Sequence, residues 1–287
     1  MASGSTSPPA LSTKVVVLGA KGRTGRLVLG HLKKLGAKEV VAVARNITGE
    51  TSDDVVKWEA GDVKEAGRLS TLLKGASAVL FTASASQGWS LFGTNTPKQV
   101  DYEGCVLTAK AAVQAKVPQL VIVSSAFVAR PYHPIALMLS TLFGRVMQWK
   151  RKGELEAISI TQQAGSVTSY TIVRPGGLSD KKPPKGLQGI QISQGDTING
   201  MITRDDTALV TAQALLHNTA KNTVFEVVWH KVEKKGEGEE EEQAPPQRYK
   251  DWTDFFSRLR PNNGAHDPAF YPADHGQPMG GTGKTEL

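Results

Sequence analysis

Cysteine is almost missing from this chain: Cys105 stands alone among 287 residues. A lone thiol excludes an internal disulfide and a multi-thiolate metal site, and it suits a reducing compartment. Cys105 reads as a small apolar filler on a helix rather than a reactive group. No apolar run approaches the length needed to span a bilayer. The opening MASGSTSPPALSTK has no hydrophobic segment of the kind a secretory signal carries, and residues 1–13 read as a disordered lead-in. That lead-in is rich in Ser and Thr and free of acid like an organelle transit peptide, but it is short and has no Arg, so the expected compartment is the cytoplasm, with the plastid stroma as the alternative. Aromatic residues make up only 6% of the chain and do not interleave with its cations. The net charge of +7 therefore comes without the basic, aromatic-bearing stripe or the zinc-finger spacing of a nucleic-acid binder. An anionic small molecule fits that charge equally well.

What is present is alternation. Six short aliphatic runs, KVVVLG (14–19), EVVAVAR (39–45), SAVLFTA (77–83), QLVIVSS (119–125), SYTIVRP (169–175) and NTVFEVV (222–228), are separated by amphipathic stretches. Near-continuous apolar, β-branched runs suit parallel strands covered on both faces. In GRLVLGHLKKLG, Val28, Leu32 and Leu35 share one helical face and Gly36 closes the helix. The pattern predicts an α/β, doubly wound parallel sheet over 14–260, with a small split substrate-covering portion from 126–144, 178–200 and a last helix at 250–260. Segment 231–248, KVEKKGEGEEEEQAPPQR, reads as a solvated charged insertion, and 261–287 as a disordered tail.

The first strand runs straight into GAKGRTG, with Gly19, Gly22 and Gly25 between strand and helix. A turn of this kind brings backbone N–H groups and a positive helix end to an anion, and a Cβ would obstruct a pyrophosphate. Its place early in the chain, after a strand and before a helix, is the context of a dinucleotide site built from Lys21, Gly22, Arg23, Thr24 and Gly25. Twenty positions beyond Gly25, where an NAD site carries an acid for the ribose hydroxyl, stands Arg45. A guanidinium there pairs with a 2′-phosphate, as Arg23 can from within the turn, so the expected cofactor is NADP(H).

With these residues in hand the chain resembles the atypical short-chain dehydrogenase/reductases, in their NAD(P)H-binding, NmrA-like branch of small plant and cyanobacterial members. The likeness covers about 14–230 and extends to AGDV (60–63), FTASAS (81–86), VDYEG (100–104), VIVSSA (121–126), WKRKGELE (149–156), YTIVRPGGL (170–178) and ITRDDTA (202–208). It implies that Asp62 and Val63 hold the adenine, and that backbone at Thr82, Ala83 and Ser84 passes the ribose. It also implies that Pro175 and Gly176 flank the nicotinamide and that Ser125 stands at the catalytic serine position, a place Ser124 fills equally well. Lys150 matches the lysine of the family's helix, as ribose anchor or as direct proton donor. The family's Tyr-x-x-x-Lys is broken: four residues before Lys150 stands Val146, which cannot transfer a proton. Tyr132 and His133 offer themselves as substitutes. The resemblance implies an NADPH-dependent reductase of a small carbonyl, enone or quinone-like substrate; the alternative is a non-catalytic NADP(H)-binding redox sensor or scaffold with a protein partner.

Two tail patterns carry no such weight. GGTGKT (280–285) has Pro278 where a P-loop needs its first glycine, and no strand precedes it. His266, Asp267, Asp274 and His275 sit in a Gly- and Pro-rich segment that cannot hold ligand geometry, so no metal site is expected.

Overall fold

The computed structural model describes Leu11, residues 13–85, Gly93, and residues 95–230 and 248–262. The expectations for 231–247, for 263–287 with its P-loop-like and His/Asp patterns, and for the lead-in other than Leu11 and Thr13 lie outside the described residues. In chain order the elements are β1 (Lys14–Leu18), α1 (Arg23–Lys34), β2 (Glu39–Ala44), β3 (Val56–Ala60), α2 (Ala66–Leu73), β4 (Ala78–Phe81) and a π-helical stretch, Lys98–Gly104, running into α3 (Cys105–Gln114). There follow β5 (Gln119–Val123), α4 (Pro134–Leu142), α5 (Val146–Gln163), β6 (Ser169–Pro175), β7 (Gly177–Ser179), α6 (Gly186–Gly189) and β8 (Ile190–Ser193). β9 (Met201–Thr203), α7 (Arg204–Gln213), β10 (Thr223–Trp229) and α8 (Trp252–Ser257) complete them.

All six aliphatic runs are strands of one sheet, ordered β3-β2-β1-β4-β5-β6-β10-β8. Every pairing in it is parallel except β8 on β10. Strand alternation divides each run between two cores. Val15, Val17, Val40, Ala42 and Leu80 pack under α1, α7 and α8, whereas Val16, Leu18, Val41, Val43 and Val79 pack against α2, α3 and α5. That is why the runs are continuous rather than alternating: both faces are covered. Within α1, Val28 and Leu32 are fully buried, and Gly36 takes φ +81° just past the helix end, as its spacing predicted.

The structure corrects several boundaries. Leu11 is buried and its carbonyl accepts from Lys38 N at 3.0 Å, so packing reaches into the expected lead-in. At the other end Asn262 is buried and its N–H donates to Asn222 O at 2.7 Å, just beyond the expected boundary. The segment 126–144, expected as part of a substrate-covering portion, contains α4. Segment 178–200 holds β8, an edge strand, and most of β7, which pairs with β9 in a separate small sheet.

Candidate functional site

The strand order reverses direction between β1 and β4, and a doubly wound sheet opens a crevice at the carboxyl ends of its strands at such a point. A cleft of about 1290 Å³ lies there, with Gly19, Gly22, Arg45, Asp62, Ser124 and Lys150 among its walls. The turn residues Lys21, Arg23 and Thr24, together with Val63, Thr82, Ala83, Ser84 and Ser125, line it too. Side chains from distant parts of the sequence thus share one space.

The glycines of the turn have a nearer reason than pyrophosphate clearance. Gly19 has φ +81°, and a Cβ on it would come within 2.6 Å of Ala83 N; a Cβ on Gly25 would run into the Gly19 carbonyl. Turn, helix and the chain after β4 are therefore packed backbone to backbone. Gly22 caps α1 without a side-chain hydrogen bond, and no acid stands in the first turn. The positive end of a three-turn helix faces the cleft with no carboxylate beside it in that turn, which fits a pyrophosphate-bearing dinucleotide.

Cations surround this end. Arg45 is exposed on the cleft wall at the end of β2. Lys21 Nζ donates to Thr48 O at 3.0 Å and lies 3.4 Å from Glu50 Oε1. Arg26 binds the same Glu50 and, beside it, holds that carboxyl below the ordinary carboxylate range. Arg23 pairs with Asp180, which also accepts from Arg204 Nη1 at 2.9 Å. On the other wall Asp62 Oδ1 accepts from Lys64 N at 3.0 Å, and Thr82 Oγ1 donates to Leu18 O at 2.8 Å.

At the far end Asp101 organises three groups. Its Oδ1 accepts from Ser84 Oγ at 2.6 Å and meets Lys150 Nζ at 2.7 Å, while its Oδ2 accepts from Ala85 N at 3.0 Å. Of the two serines after β5, Ser125 spends its hydroxyl on Ala126 O at 3.1 Å. Ser124 is buried, lines the cleft and has a hydroxyl without a partner among the described residues. Around them Leu139, Leu142, Phe143, Val146 and Met147 make this end apolar.

A family profile described as NAD(P)H-binding matches residues 19–218. The chain belongs to that family. A chloroplast protein of Arabidopsis thaliana described as uncharacterised is 31% identical over 242 residues, covering 79% of this chain and 81% of the relative. Sanguinarine reductase of Eschscholzia californica is 28% identical over 258 residues, covering 75% of this chain and 89% of that enzyme. Among solved structures, an oxidoreductase from Lactococcus lactis superposes with a TM-score of 0.63 at 21% identity, covering 76% of this chain and 92% of its own. That structure has the same Rossmann-type fold.

Within this NAD(P)H-binding frame, several expected residues stand elsewhere. Pro175 and Gly176 are buried and absent from the cleft wall; a Cβ on Gly176 would meet the Gly200 carbonyl, and Leu178 is the residue of that stretch lining the cleft. Pro175 instead fixes the serine turn, its carbonyl accepting from Ala126 N at 2.9 Å. Neither Tyr132 nor His133 lines the cleft: Tyr132 is 58% exposed, and His133 caps α4, its Nδ1 accepting from Ile135 N. Tyr102 is no substitute acid, since its hydroxyl binds Glu156 at 2.7 Å and burial pushes it up to about 12. Burial likewise pushes the Cys105 thiol up to about 12, in keeping with a packing role. Asp206 is a buried hub that accepts from Lys185 N, Gly186 N and Trp229 Nε1, tying down the segment beside the cleft.

Sequence reasoning missed Asp101 as the partner of Lys150, Arg204 as a cleft cation, and the buried set Arg174, Glu154 and Glu226. Arg174 Nη2 donates to Glu154 at 2.7 Å and its Nη1 to Glu226 at 3.1 Å. A charged residue inside an apolar run, as in YTIVRP and TVFEVV, was the available signal.

Proposed function

We propose that the chain is an NADPH-dependent reductase of the atypical, NmrA-like short-chain dehydrogenase/reductase type, acting on a small carbonyl, enone or quinone-like substrate. The observation that carries this reading is the buried Ser124 hydroxyl, without a partner among the described residues, in the wall of a cleft that Lys150 and the N-terminal residues of α1 also line. A buried hydroxyl left without a partner is costly unless a ligand completes it. The name of the Californian poppy relative, sanguinarine reductase, supports reduction as the chemistry.

Arg45, which lines the same cleft as Arg23 and Lys21, favours NADPH over NADH, since a 2′-phosphate supplies the anion that an exposed guanidinium at this site would otherwise lack. Asp62 and Val63 would border the adenine, and the chain from Thr82 to Ser84 the ribose. A bound dinucleotide would supply the hydride. Ser124 would orient the acceptor oxygen by hydrogen bonding, with Ser125, its hydroxyl turned to backbone, in support. Lys150, fixed by Asp101, would present its ammonium to the ribose and the reacting oxygen and deliver the proton that Val146 cannot. The chloroplast relative favours the plastid over the cytoplasm.

The test is NADPH titration by calorimetry, followed by loss of NADPH absorbance against a carbonyl and quinone panel. Turnover that falls in Ser124→Ala and Lys150→Ala supports the reading. Tight NADPH binding without turnover on any substrate transfers it to the second reading, a non-catalytic NADP(H) sensor or scaffold, which the valine at 146 favours.

A further inference from the structure

Five of the large apolar side chains exposed among the described residues cluster in sequence beside the cleft. Tyr132, Ile135, Leu137, Met138 and Leu142 are all exposed, Met138 by 53% and Leu142 by 50%, and all lie on or next to the nine-residue helix α4. The helix faces two ways. Ala136 and Leu139 pack on Phe127, Val128 and Met147, whereas Ile135, Met138 and Leu142, spaced three and four apart, form one outward apolar stripe. Contiguous exposed apolar surface of this kind marks a contact site.

Along the chain its charged neighbours are of one sign. Between Gly104 and Gly153 the sequence contains no Asp or Glu, and Arg130 and Arg145 stand before and after α4, with Lys152 a turn or two further on. A second copy of the chain is disfavoured as occupant: a two-fold contact on this face would set the arginines of one copy against those of the other. The stripe is aliphatic, has Tyr132 next to it in the chain and is flanked along the sequence by cations. Those are the features of a helix lying in the interface of an anionic bilayer, with its apolar side among acyl chains and its arginines among head groups.

We infer that α4, with Tyr132, Arg130 and Arg145, seats the protein peripherally on anionic lipid membranes. No described helix is long and apolar enough to cross a membrane, so the contact is a surface one. Leu142 belongs both to the stripe and to the cleft wall, so a seated helix brings the mouth of the cleft to the lipid surface. The proposal holds whether or not the cleft turns a substrate over.

The experiment is co-sedimentation of the full chain with vesicles of phosphatidylcholine alone and of phosphatidylcholine mixed with phosphatidylglycerol. The wild type is expected to pellet with the mixed vesicles, less so as salt rises, and to stay in solution with the neutral ones. The double variant Ile135→Glu/Met138→Glu, at two positions that do not line the cleft, should bind the mixed vesicles roughly tenfold more weakly while its melting temperature and NADPH affinity stay unchanged. Arg130→Gln/Arg145→Gln supplies an independent variant and should weaken binding to the mixed vesicles in the same direction. Failure of the wild type to pellet with mixed vesicles, or equal pelleting of the wild type and both double variants, overturns the proposal. Self-association of the wild type that the glutamate variant abolishes also overturns it, in favour of a second copy.

Discussion

Lys150 Nζ lies 2.7 Å from Asp101 Oδ1, with 13% of the lysine side chain exposed and none of the aspartate's. The carboxylate sits on the π-helical stretch before α3 and the ammonium on α5, so the pair joins two elements at the cleft wall. Asp101 also receives Ser84 Oγ and Ala85 N, and the lysine therefore reports to the chain that follows β4.

This pair should behave as a unit. Asp101→Asn leaves an ammonium without its counter-charge, and Lys150→Ala leaves a buried carboxylate. Each is expected to cost about 2–3 kcal/mol of stability, less than a fully buried pair because the lysine keeps some contact with water. The double variant should cost less than the two single costs combined, by roughly 1–2 kcal/mol, measured by urea unfolding in a double-mutant cycle. Strict additivity would show that the two groups do not depend on each other.

Cofactor choice rests on Arg45. Arg45→Asp replaces a cation at the expected 2′-phosphate position with an anion, a loss of about 1.5–3 kcal/mol for a charge-assisted contact. NADPH affinity should drop roughly 10–100-fold while NADH affinity changes little. Calorimetric titration of both nucleotides checks this, and equal losses for the two would remove Arg45 from the specificity argument.

Asp180 offers the opposite kind of change. It neutralises Arg23, at the start of α1, and Arg204, on the cleft wall. A nucleotide phosphate arriving at the turn competes with that carboxylate for the same guanidinium groups. Asp180→Asn should therefore tighten NADPH binding about 2–5-fold at low salt, an advantage that shrinks as salt rises, and Arg204→Gln should weaken it. Unchanged affinity in both variants would leave the arginines without a role toward the nucleotide.

The fold was legible where chemistry is local and periodic. Each aliphatic run became a strand because burial on both faces selects mostly apolar residues, and GAKGRTG marked its turn by its glycines. β3, read from VKWEA, escaped notice because an edge strand with mostly exposed residues has no apolar run to betray it. The cleft was legible in its turn and in Arg45. Asp101 was not, since nothing local distinguishes an aspartate that will meet a lysine forty-nine positions away from one that caps a helix. The choice between Ser124 and Ser125 was also beyond sequence, because it depends on which hydroxyl the Ala126 carbonyl takes.

Rising pH should weaken the fold at one set of buried charges. Arg174 is shared by Glu154 and Glu226, one cation between two carboxylates, and all three are buried. Burial pushes the Glu226 carboxyl from its ordinary 4.5 up to about 7. The folded state thus binds a proton there more tightly than the unfolded chain does. The stabilisation is fully present below about pH 4.5 and is lost as pH rises towards 7, at no more than about 1.4 kcal/mol per pH unit and roughly 3 kcal/mol in all. Glu226→Gln removes this dependence. Its amide oxygen can still accept from Asp196 N, as the carboxylate does at 2.9 Å, but its NH₂ faces Arg174 where an acceptor stood. A constant destabilisation is therefore expected alongside the lost slope, and only the slope tests the titration. Urea midpoints between pH 5 and pH 8 should fall with pH in the wild type and fall distinctly less in Glu226→Gln. Parallel profiles would assign the pH response to other groups. Because Asp196 in turn accepts from Phe127 N at 2.7 Å and Ala129 N at 3.0 Å, the loop after the serine turn should loosen over the same pH range, which amide exchange at 127–129 would register.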